Sequence, residues 1–224
     1  MSWVRRAVAL TLGLGLCLAA CGPSGATSAG PTTSALGHRA PPDATPQAAP
    51  PAAPVPGGGT ATIQTPEGAI VIQLYGGSAP VATANFVQLS KSGYYDGVVF
   101  QRIVPGFVIQ GGDGQFGREP AVDMANVGSG GPGYTIVDEP VVGDYTRGVV
   151  AMARTSQPDS QGSQFFICLA DLRGQLDKAG DYVIFGHVTQ GMDVVDRIAA
   201  GPSSGPPAYL ASQPVPMTSV VITP

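Results

Sequence analysis

Residues 59–224 predict a mainly β fold: an antiparallel sheet of eight strands that closes into a barrel and is capped by two α-helices. Short segments rich in Val, Ile, Thr and aromatic residues recur through this region, and turn signals separate them. Only two segments have helical spacing, whereas a doubly wound α/β sheet needs a helix after each strand. Closure removes exposed strand edges, and one helix is available to cover each open end.

The first predicted elements are a β-hairpin and a helix. The segments "TATIQT" and "AIVIQLY" flank a Glu67-Gly68 turn signal, a pattern typical of a hairpin. The helix covers residues 78–93, with Ser78 as candidate N-cap and Gly93 as candidate C-cap. Spacing of three to four positions assigns its inward face to Val81, Ala84 and Val87 or Gln88.

The later part of the domain contains six further strand segments and the second helix. The strand segments are "VVFQRIV", "GFVIQGG", "GVVAMA", "QFFICLA", "YVIFGHV" and "TSVVIT". The helix fits "MDVVDRIAA", in which Val194, Val195 and Ile198 are apolar. Residues 114–133 and 199–216 are rich in Gly, Pro and Ser, which predicts long surface loops.

Residues 1–58 predict a signal peptide and a linker. Two arginines precede an apolar run that ends at Ala20, as in a secretory signal, and the run is too short to span a bilayer. The "LAAC" that ends at Cys21 resembles the lipobox of bacterial lipoproteins, which implies removal of residues 1–20 and a diacylglycerol on the Cys21 sulfur. An ordinary signal peptide is the alternative. Residues 21–58 are mostly Gly, Ala, Ser, Thr and Pro, so we expect a disordered tether before the folded domain of residues 59–224.

Charge and composition argue against several classes of function. The net charge is -4 and Lys and Arg do not cluster, so nucleic acid and an anionic membrane surface are poor partners. The sequence has no cluster of metal ligands, no Walker loop and no nucleophile motif. If the protein is an enzyme, we therefore expect it to use neither a metal nor a covalent intermediate. With Cys17 in the signal and Cys21 acylated, Cys168 has no disulfide partner, and we expect a buried, inert thiol.

The segment "FQRIVPGFVIQGGD" carries polar side chains within an apolar strand pattern. Strand alternation puts Phe100 and Arg102 on one face. For Arg102, Phe107 and Gln110 to converge on one groove, Pro105-Gly106 would have to shift the register as a β-bulge does.

This segment resembles a signature of the cyclophilin family of peptidyl-prolyl isomerases. The blocks "GVVAMARTSQPDSQGSQFF", "GSQFFICLAD" and "YVIFGHV", the last followed by "GMDVVDRI", resemble the same family in the same order. The resemblance covers roughly residues 60–223. It implies rotation about X-Pro bonds in proline-containing polypeptides, with neither cofactor nor metal. We expect a monomer that meets the membrane only through the lipid anchor at Cys21.

The resemblance also implies roles for individual residues. Arg102 would be the catalytic arginine, acting with Phe107 and Gln110. The implied substrate-binding positions are Val108, Ala153, Arg154, Gln164, Phe166, Leu176 and Tyr182. Phe107, Val108, Phe166 and Leu176 would line a pocket for the proline ring, which Tyr182 would close. Gln110, Ala153, Arg154 and Gln164 would hold the substrate backbone. Gln175 replaces a tryptophan common in the family, which implies weak cyclosporin binding.

Three functional hypotheses follow from these patterns. The first is a lipid-anchored, extracytoplasmic isomerase that assists exported proteins at a bacterial cell surface or in the periplasm. The second is a non-catalytic peptide-binding scaffold on the same fold, since fold alone does not determine function. The third is a solute-binding lipoprotein, and the single domain without an alternating α/β pattern counts against it.

Overall fold

A computed structural model describes residues 57–179 and 182–224 of the chain. The predicted signal peptide, the lipid site at Cys21 and the linker up to residue 56 lie outside the described residues. Within the described ranges the chain forms nine strands and three helices. Their bounds are β1 Thr60–Thr65, β2 Gly68–Leu74, α1 Pro80–Lys91, β3 Val99–Val104, β4 Val108–Gly111, β5 Val149–Met152, β6 Phe165–Cys168, α2 Arg173–Ala179, β7 Ile184–Gln190, α3 Met192–Ala199, β8 Leu210–Pro216 and β9 Ser219–Thr223.

All nine strands of the described part join one curled antiparallel sheet, in the order β8-β3-β4-β6-β5-β7-β2-β1-β9. The mainly β class is therefore confirmed, whereas the closed barrel of eight strands is not. The two edge strands follow one another in the chain. At the junction between them, Met217 N–H donates to the Val98 carbonyl and Thr218 N–H donates to the Gln64 carbonyl.

Two elements were not predicted from the sequence. Strand β8 lies within residues 199–216, which were expected to be a loop, and it pairs with β3 at the sheet edge. An edge strand tolerates Pro214 and Pro216, which remove hydrogen-bond donors and made the segment look irregular. Helix α2 has only seven residues and carries Leu176, and a segment this short gives little helical periodicity to detect.

The start of helix α1 differs from the prediction. Ser78 does not cap it; the N-cap residue is Ala79, which makes no side-chain cap bond. Instead the Glu139 carboxylate accepts hydrogen bonds of 2.8 Å from each of the Val81 and Ala82 N–H groups. Val81 is 37% exposed, so its predicted inward position is wrong. The other predicted positions, Ala84 and Val87, are buried.

Alternate residues of the central strands enter two separate apolar clusters. The inner cluster lies between the sheet and helices α1 and α3, and it includes Phe86, Phe100, Ile109, Val150, Phe165, Ile167, Phe185 and Val195. The outer cluster lies on the opposite face of the same strands, and it comprises Val108, Tyr145, Val149, Ala151, Ala153, Phe166, Cys168, Leu172, Leu176, Tyr182 and Ile184, with Tyr75, Val104, Phe107, Val141 and Ala170 packed against them. The sheet therefore separates two packed regions, as the two-residue period of a strand requires.

Candidate active site

The predicted bulge at Pro105-Gly106 is wrong, because these residues form the turn of a β-hairpin. Phe107 N–H donates to the Val104 carbonyl at 3.0 Å, and Gly106 has φ +68°. Proline followed by a glycine with positive φ is the signature of a type II turn. Strands β3 and β4 then run antiparallel with Arg102 opposite Gln110. The reversal of the chain, rather than a shift of register, brings these two side chains together.

A bulge does occur, but it lies within β3. Its pairing with β8 shifts register between Phe100 and Arg102. Phe100 and Ile103 both enter the inner cluster although they are three positions apart. The irregularity leaves Gln101 and Arg102, two consecutive residues, available to the outer face. The prediction that Phe100 and Arg102 share a face is therefore wrong.

Four side chains on the outer face form a row of polar groups, the polar ladder. Its members are Arg102, Gln110, Gln164 and Gln101. Arg102 Nη1 lies 3.5 Å from Gln110 Oε1, and Gln110 Nε2 donates to Gln164 Oε1 at 3.2 Å. Gln101 Nε2 donates to the same oxygen at 2.6 Å. The three glutamines are buried, and these bonds compensate for part of the loss of water around their amides, although Gln101 Oε1 has no hydrogen-bond partner among the described residues.

The far end of the ladder is held by the loop of residues 114–133. Gln164 Nε2 donates to the Gly130 and Gly128 carbonyls at 2.8 and 3.2 Å. Fully buried Asp113 organises this loop. Its Oδ1 accepts from the N–H groups of residues 115 and 116, and its Oδ2 accepts from those of Gly128 and Gly130, at 2.7–3.1 Å. The orientation of the Gln164 amide thus depends on Asp113.

Neither Asp113 nor Gln101 was identified from the sequence as a site residue. The only available signal for Asp113 was an Asp at the start of a Gly-rich loop, which is typical of Asx-type turns. The signal for Gln101 was a polar residue next to Arg102 in an apolar strand. Both signals are local, and neither indicates the distant groups that these side chains contact.

The predicted apolar site residues belong to the outer cluster. Phe166 lies directly opposite Gln110 across the β4–β6 pair, and its ring meets that of Tyr182 edge to face with centroids 5.4 Å apart. Val108 and Leu176 are buried in the same cluster, and half-buried Phe107 packs on it at the end of the turn. The polar ladder therefore borders an apolar wall that has the half-buried ring of Phe107 at its edge.

Ala153 and Arg154 lie at the border of this region. Ala153 N–H donates to the Gln164 carbonyl at 2.8 Å, which joins residue 153 to the ladder through the main chain. The Arg154 guanidinium points instead into the neighbouring loop, where Nη2 donates to the Gln157 carbonyl at 3.0 Å and lies 3.3 Å from Asp138 Oδ2. Arg154 thus helps to fix the position of the loop that contains Gln157.

Burial shifts the pKa of two residues in this part of the molecule, Arg102 and Cys168. It lowers the pKa of Arg102 below the usual arginine range, an effect that the Tyr182 and Tyr209 phenols oppose, and arginine remains protonated at neutral pH. Arg102 Nε also donates to the Ala208 carbonyl at 3.3 Å. Burial raises the pKa of Cys168 to about 12, so the predicted inert, buried thiol is confirmed.

A cavity of about 380 Å³ opens near the far end of the outer cluster, beside Tyr75, Val142 and His187, and none of the predicted site residues lines it. Residues 57–179 and 182–224 contain no group of three or more His, Cys, Asp or Glu side chains able to hold a metal ion. In the same ranges no helix is long and apolar enough to cross a membrane.

Comparison with known proteins confirms the resemblance seen in the sequence. The family model described as "Cyclophilin type peptidyl-prolyl cis-trans isomerase/CLD" matches residues 60–223. A peptidyl-prolyl cis-trans isomerase of Acinetobacter baylyi is 40% identical over 168 residues, which are 71% of this chain and 83% of the relative. One from Helicobacter pylori is 40% identical over 145 residues, which are 63% of this chain and 80% of the relative.

Solved structures agree with this result. The crystal structure of a cyclophilin type peptidyl-prolyl cis-trans isomerase of Cryptosporidium parvum is 30% identical, with a TM-score of 0.63 over 74% of this chain and 98% of that chain. A second structure of the same protein, in the presence of the dipeptide Ala-Pro, has a TM-score of 0.62 over 74% of this chain and 99% of that chain.

Proposed function

Because the chain belongs to the cyclophilin family of peptidyl-prolyl cis-trans isomerases, we propose that it isomerises X-Pro bonds of exported proteins at the polar ladder and the apolar wall beside it. The observation that carries this proposal is the position of Arg102. Its guanidinium lies 3.5 Å from Gln110 Oε1 in the ladder and interacts electrostatically with the phenol of Tyr182, which belongs to the outer cluster.

The reaction requires stabilisation of a twisted amide. Rotation about an X-Pro bond has a barrier of nearly 20 kcal/mol, so uncatalysed exchange takes tens of seconds or more. The barrier arises because the twist removes amide resonance. The prolyl nitrogen then becomes pyramidal and regains a lone pair, so a donor aimed at this nitrogen binds the twisted state better than either planar ground state. Such differential binding lowers the barrier.

In this mechanism Arg102 is that donor. It stays protonated, and its guanidinium presents several donors in fixed directions. The Gln110 Oε1 and the Ala208 carbonyl hold it from two sides, at 3.5 and 3.3 Å. Partial burial strengthens the interaction with the lone pair, because less water competes for the guanidinium. No proton is transferred and no covalent intermediate forms.

The outer cluster supplies the proline pocket in this proposal. Half-buried Phe107 would contact the pyrrolidine ring, and the buried side chains of Phe166, Leu176 and Tyr182 would form the floor of the pocket behind it. Gln110 and Gln164, together with the main chain at residue 153, would hold the peptide on one side of the bond while the other side rotates. The Ala-Pro dipeptide present with the related Cryptosporidium parvum protein supports a ligand of this chemical type.

An isomerase assay on a proline peptide tests the role of Arg102. We expect Arg102→Ala to lower kcat/KM by about 100- to 1,000-fold, the range for removal of one preorganised donor in a site. The melting temperature should change little, because this side chain is only partly buried. Arg197→Ala is the matched control, since Arg197 is an exposed arginine of α3 that contacts Asp193 and Glu67.

Three results would contradict the mechanism. Equal losses of activity in the Arg102 and Arg197 variants would show that Arg102 has no special role. If Arg102→Ala instead lowered activity only in proportion to folded protein, its role would be structural. A wild-type protein that binds proline peptides without accelerating their exchange would support the alternative, a non-catalytic peptide-binding scaffold.

We also propose that the protein is anchored outside the cytoplasm through Cys21. The support is the order of the arginines, the apolar run and the "LAAC" segment at the amino terminus. Cys21→Ser should release the protein from membranes into the soluble fraction. A Cys17→Ser variant is the control, because Cys17 would leave with the signal peptide, and it should remain anchored. Membrane retention of the Cys21 variant would overturn this proposal.

A further inference from the structure

We propose that residues 39–47 of the linker occupy the isomerase site of their own chain, as an intramolecular substrate that competes with external ones. This inference rests on the proposed function, because it concerns the regulation of the same site.

The linker offers the bond on which the enzyme acts. Nine prolines lie between residues 22 and 56. The non-proline residues that precede them are Gly22, Gly30, Ala40, Thr45, Ala49, Ala53 and Val55. Between residues 39 and 47 the sequence "RAPPDATPQ" contains both an Ala-Pro and a Thr-Pro bond. The chain therefore carries its own candidate substrates at a fixed ratio of one linker to one site.

The linker joins the domain at the level of the sheet where the site lies. Leu74 N–H donates to the Gly59 carbonyl at 2.9 Å, which ties the start of the domain to the end of β2. From this point the strand registers form one continuous row across the sheet. The row runs through Leu74, Gly186, Val150, Ile167 and Ile109.

The length of this row gives the distance that the linker must cover. Neighbouring strands are about 4.8 Å apart, so the four steps from Leu74 to Ile109 span about 19 Å, and the step from Gly59 brings the total to about 24 Å. Gln110 follows Ile109 on β4, so the ladder lies at the end of this row. The site faces outward, and the linker can therefore follow the surface without crossing the core.

The reach of the linker selects residues 39–47. An extended polyproline chain advances about 3.1 Å per residue. Counted back from Gly57, Pro54 reaches only about 9 Å and Pro50 about 22 Å, whereas Pro46 reaches about 34 Å and Pro41 about 50 Å. Thr45-Pro46 and Ala40-Pro41 are therefore the first X-Pro bonds able to reach the ladder with slack.

The expected end-to-end length of the linker matches the distance from the start of the domain to the ladder. A flexible tether of 11–16 residues has a root-mean-square length of about 18–22 Å, which is close to the span required. A matched tether gives its ligand an effective concentration in the millimolar range, and this concentration is independent of the amount of protein. Even a weak X-Pro ligand is then bound for a substantial fraction of the time.

Exchange NMR on the full chain in detergent micelles tests the inference directly. The cis and trans signals of Ala40 and Thr45 should interconvert at least about tenfold faster than those of Val55, whose proline is too near the domain to reach the site. Uncatalysed exchange takes tens of seconds, so such a difference is measurable. Tenfold dilution should leave the fast rate unchanged, and Arg102→Ala should slow it to that of Val55.

Matched linker variants test the competition. In the full chain, Pro41→Ala, Pro42→Ala and Pro46→Ala together should lower the apparent KM for an external proline peptide by about twofold or more and leave kcat unchanged. The control is Pro51→Ala, Pro54→Ala and Pro56→Ala together, which removes the same number of prolines from positions of shorter reach. It should behave as wild type.

The outcomes separate the two proposals. If no form of the chain accelerates exchange of the external peptide, the proposed function fails. If the external peptide is isomerised, but Ala40, Thr45 and Val55 exchange at one rate and the two triple variants have the same KM, only the intramolecular occupancy is overturned. A fast rate that falls in proportion to dilution would also overturn it, because the reaction would then occur between chains.

Discussion

Phe165 and Phe166 are consecutive residues of β6, both fully buried, yet they belong to different regions of the molecule. Phe165 lies in the inner cluster, where its ring meets four others edge to face at centroid distances of 5.6–6.4 Å. Phe166 lies in the outer cluster, opposite Gln110 and against the ring of Tyr182. One strand thus contributes to the fold with one face and to the candidate site with the other.

The two regions differ in how they treat polar groups. The inner cluster consists of apolar and aromatic side chains and depends on close packing. The outer cluster borders the buried amides of Gln101, Gln110 and Gln164, which are stable only because each has hydrogen-bond partners. Loss of a polar partner should therefore damage the outer region most, and loss of volume should damage the inner region most.

The largest expected effect is a loss of packing in the inner cluster. Phe165→Ala should lower the free energy of unfolding by about 3–5 kcal/mol, because it removes a fully buried ring from a cluster of aromatic side chains. Activity per folded molecule should change little. Phe166→Ala should also destabilise the protein, but it should in addition raise KM for proline peptides. Denaturant unfolding and isomerase assays below the transition measure both quantities.

This pair of variants can contradict the comparison. If Phe165→Ala raises KM as much as Phe166→Ala does, the two faces of β6 are coupled, and the sheet does not insulate the site from the core. If neither variant changes KM, the outer cluster is a second structural core.

The next largest effect is expected at Asp113, on the polar side of the comparison. Asp113→Ala removes the acceptor of four backbone N–H groups, and we expect a loss of about 2–3 kcal/mol in stability. The Gly128 and Gly130 carbonyls that hold Gln164 should lose their fixed positions, so kcat/KM should fall about tenfold. Hydrogen exchange of residues 114–130 should accelerate.

A carboxylate in the same loop provides the control for Asp113. Asp123 is less buried and accepts hydrogen bonds only from Ala125 and Asn126 within its own turn. Asp123→Ala should leave kcat/KM near the wild-type value. If the two variants reduce kcat/KM equally, the ladder does not depend on Asp113, and loop order as a whole is responsible.

The sequence predicted those parts of the fold that depend on local patterns. The first hairpin, the helix with Val194, Val195 and Ile198, and most strands have clear periodicity, and the structure has them within a few residues. The predicted site residues Arg102, Gln110 and Phe166 come together because two strand pairings place them in adjacent positions. The turn at Pro105-Gly106, which was predicted to be a bulge, sets only the β3–β4 pairing, and the β4–β6 pairing joins segments more than 50 residues apart.

The remaining features depend on groups far apart in the chain. The carboxylate of Glu139 caps a helix 58 positions away, and no local pattern indicates such a contact. The bulge in β3 is set by pairing with β8, a strand whose prolines hid it. The roles of Asp113 and Gln101 likewise appear only when the loop and β6 are brought together. Contacts of this kind require the folded structure.

The stability of the protein at alkaline pH tests the burial of the Cys168 thiol in the outer cluster. Burial raises the pKa of Cys168 from 9.0 to about 12, because the fold disfavours the thiolate. The resulting stability is fully present below about pH 9 and is lost as the pH rises toward 12, by about 1.4 kcal/mol per pH unit. Cys168→Ala should therefore flatten the pH dependence of unfolding in this window. An unchanged slope would show that the thiol stays protonated in both states or ionises in both.

The smallest effect is expected from loss of the cap of helix α1. This helix packs on the inner cluster. Glu139→Gln keeps the shape of the side chain but removes its negative charge. The carboxylate accepts hydrogen bonds from two N–H groups at the positive end of the helix dipole, so the free energy of unfolding should fall by about 1 kcal/mol. Phe86 of α1 packs in the inner cluster, and kcat/KM should remain at the wild-type value. Glu119→Gln, at an exposed loop position, is the matched control and should not change the melting temperature. A fall in kcat/KM for Glu139→Gln alone would mean that movement of α1 is transmitted through the sheet, and the separation of the two regions would then be incomplete.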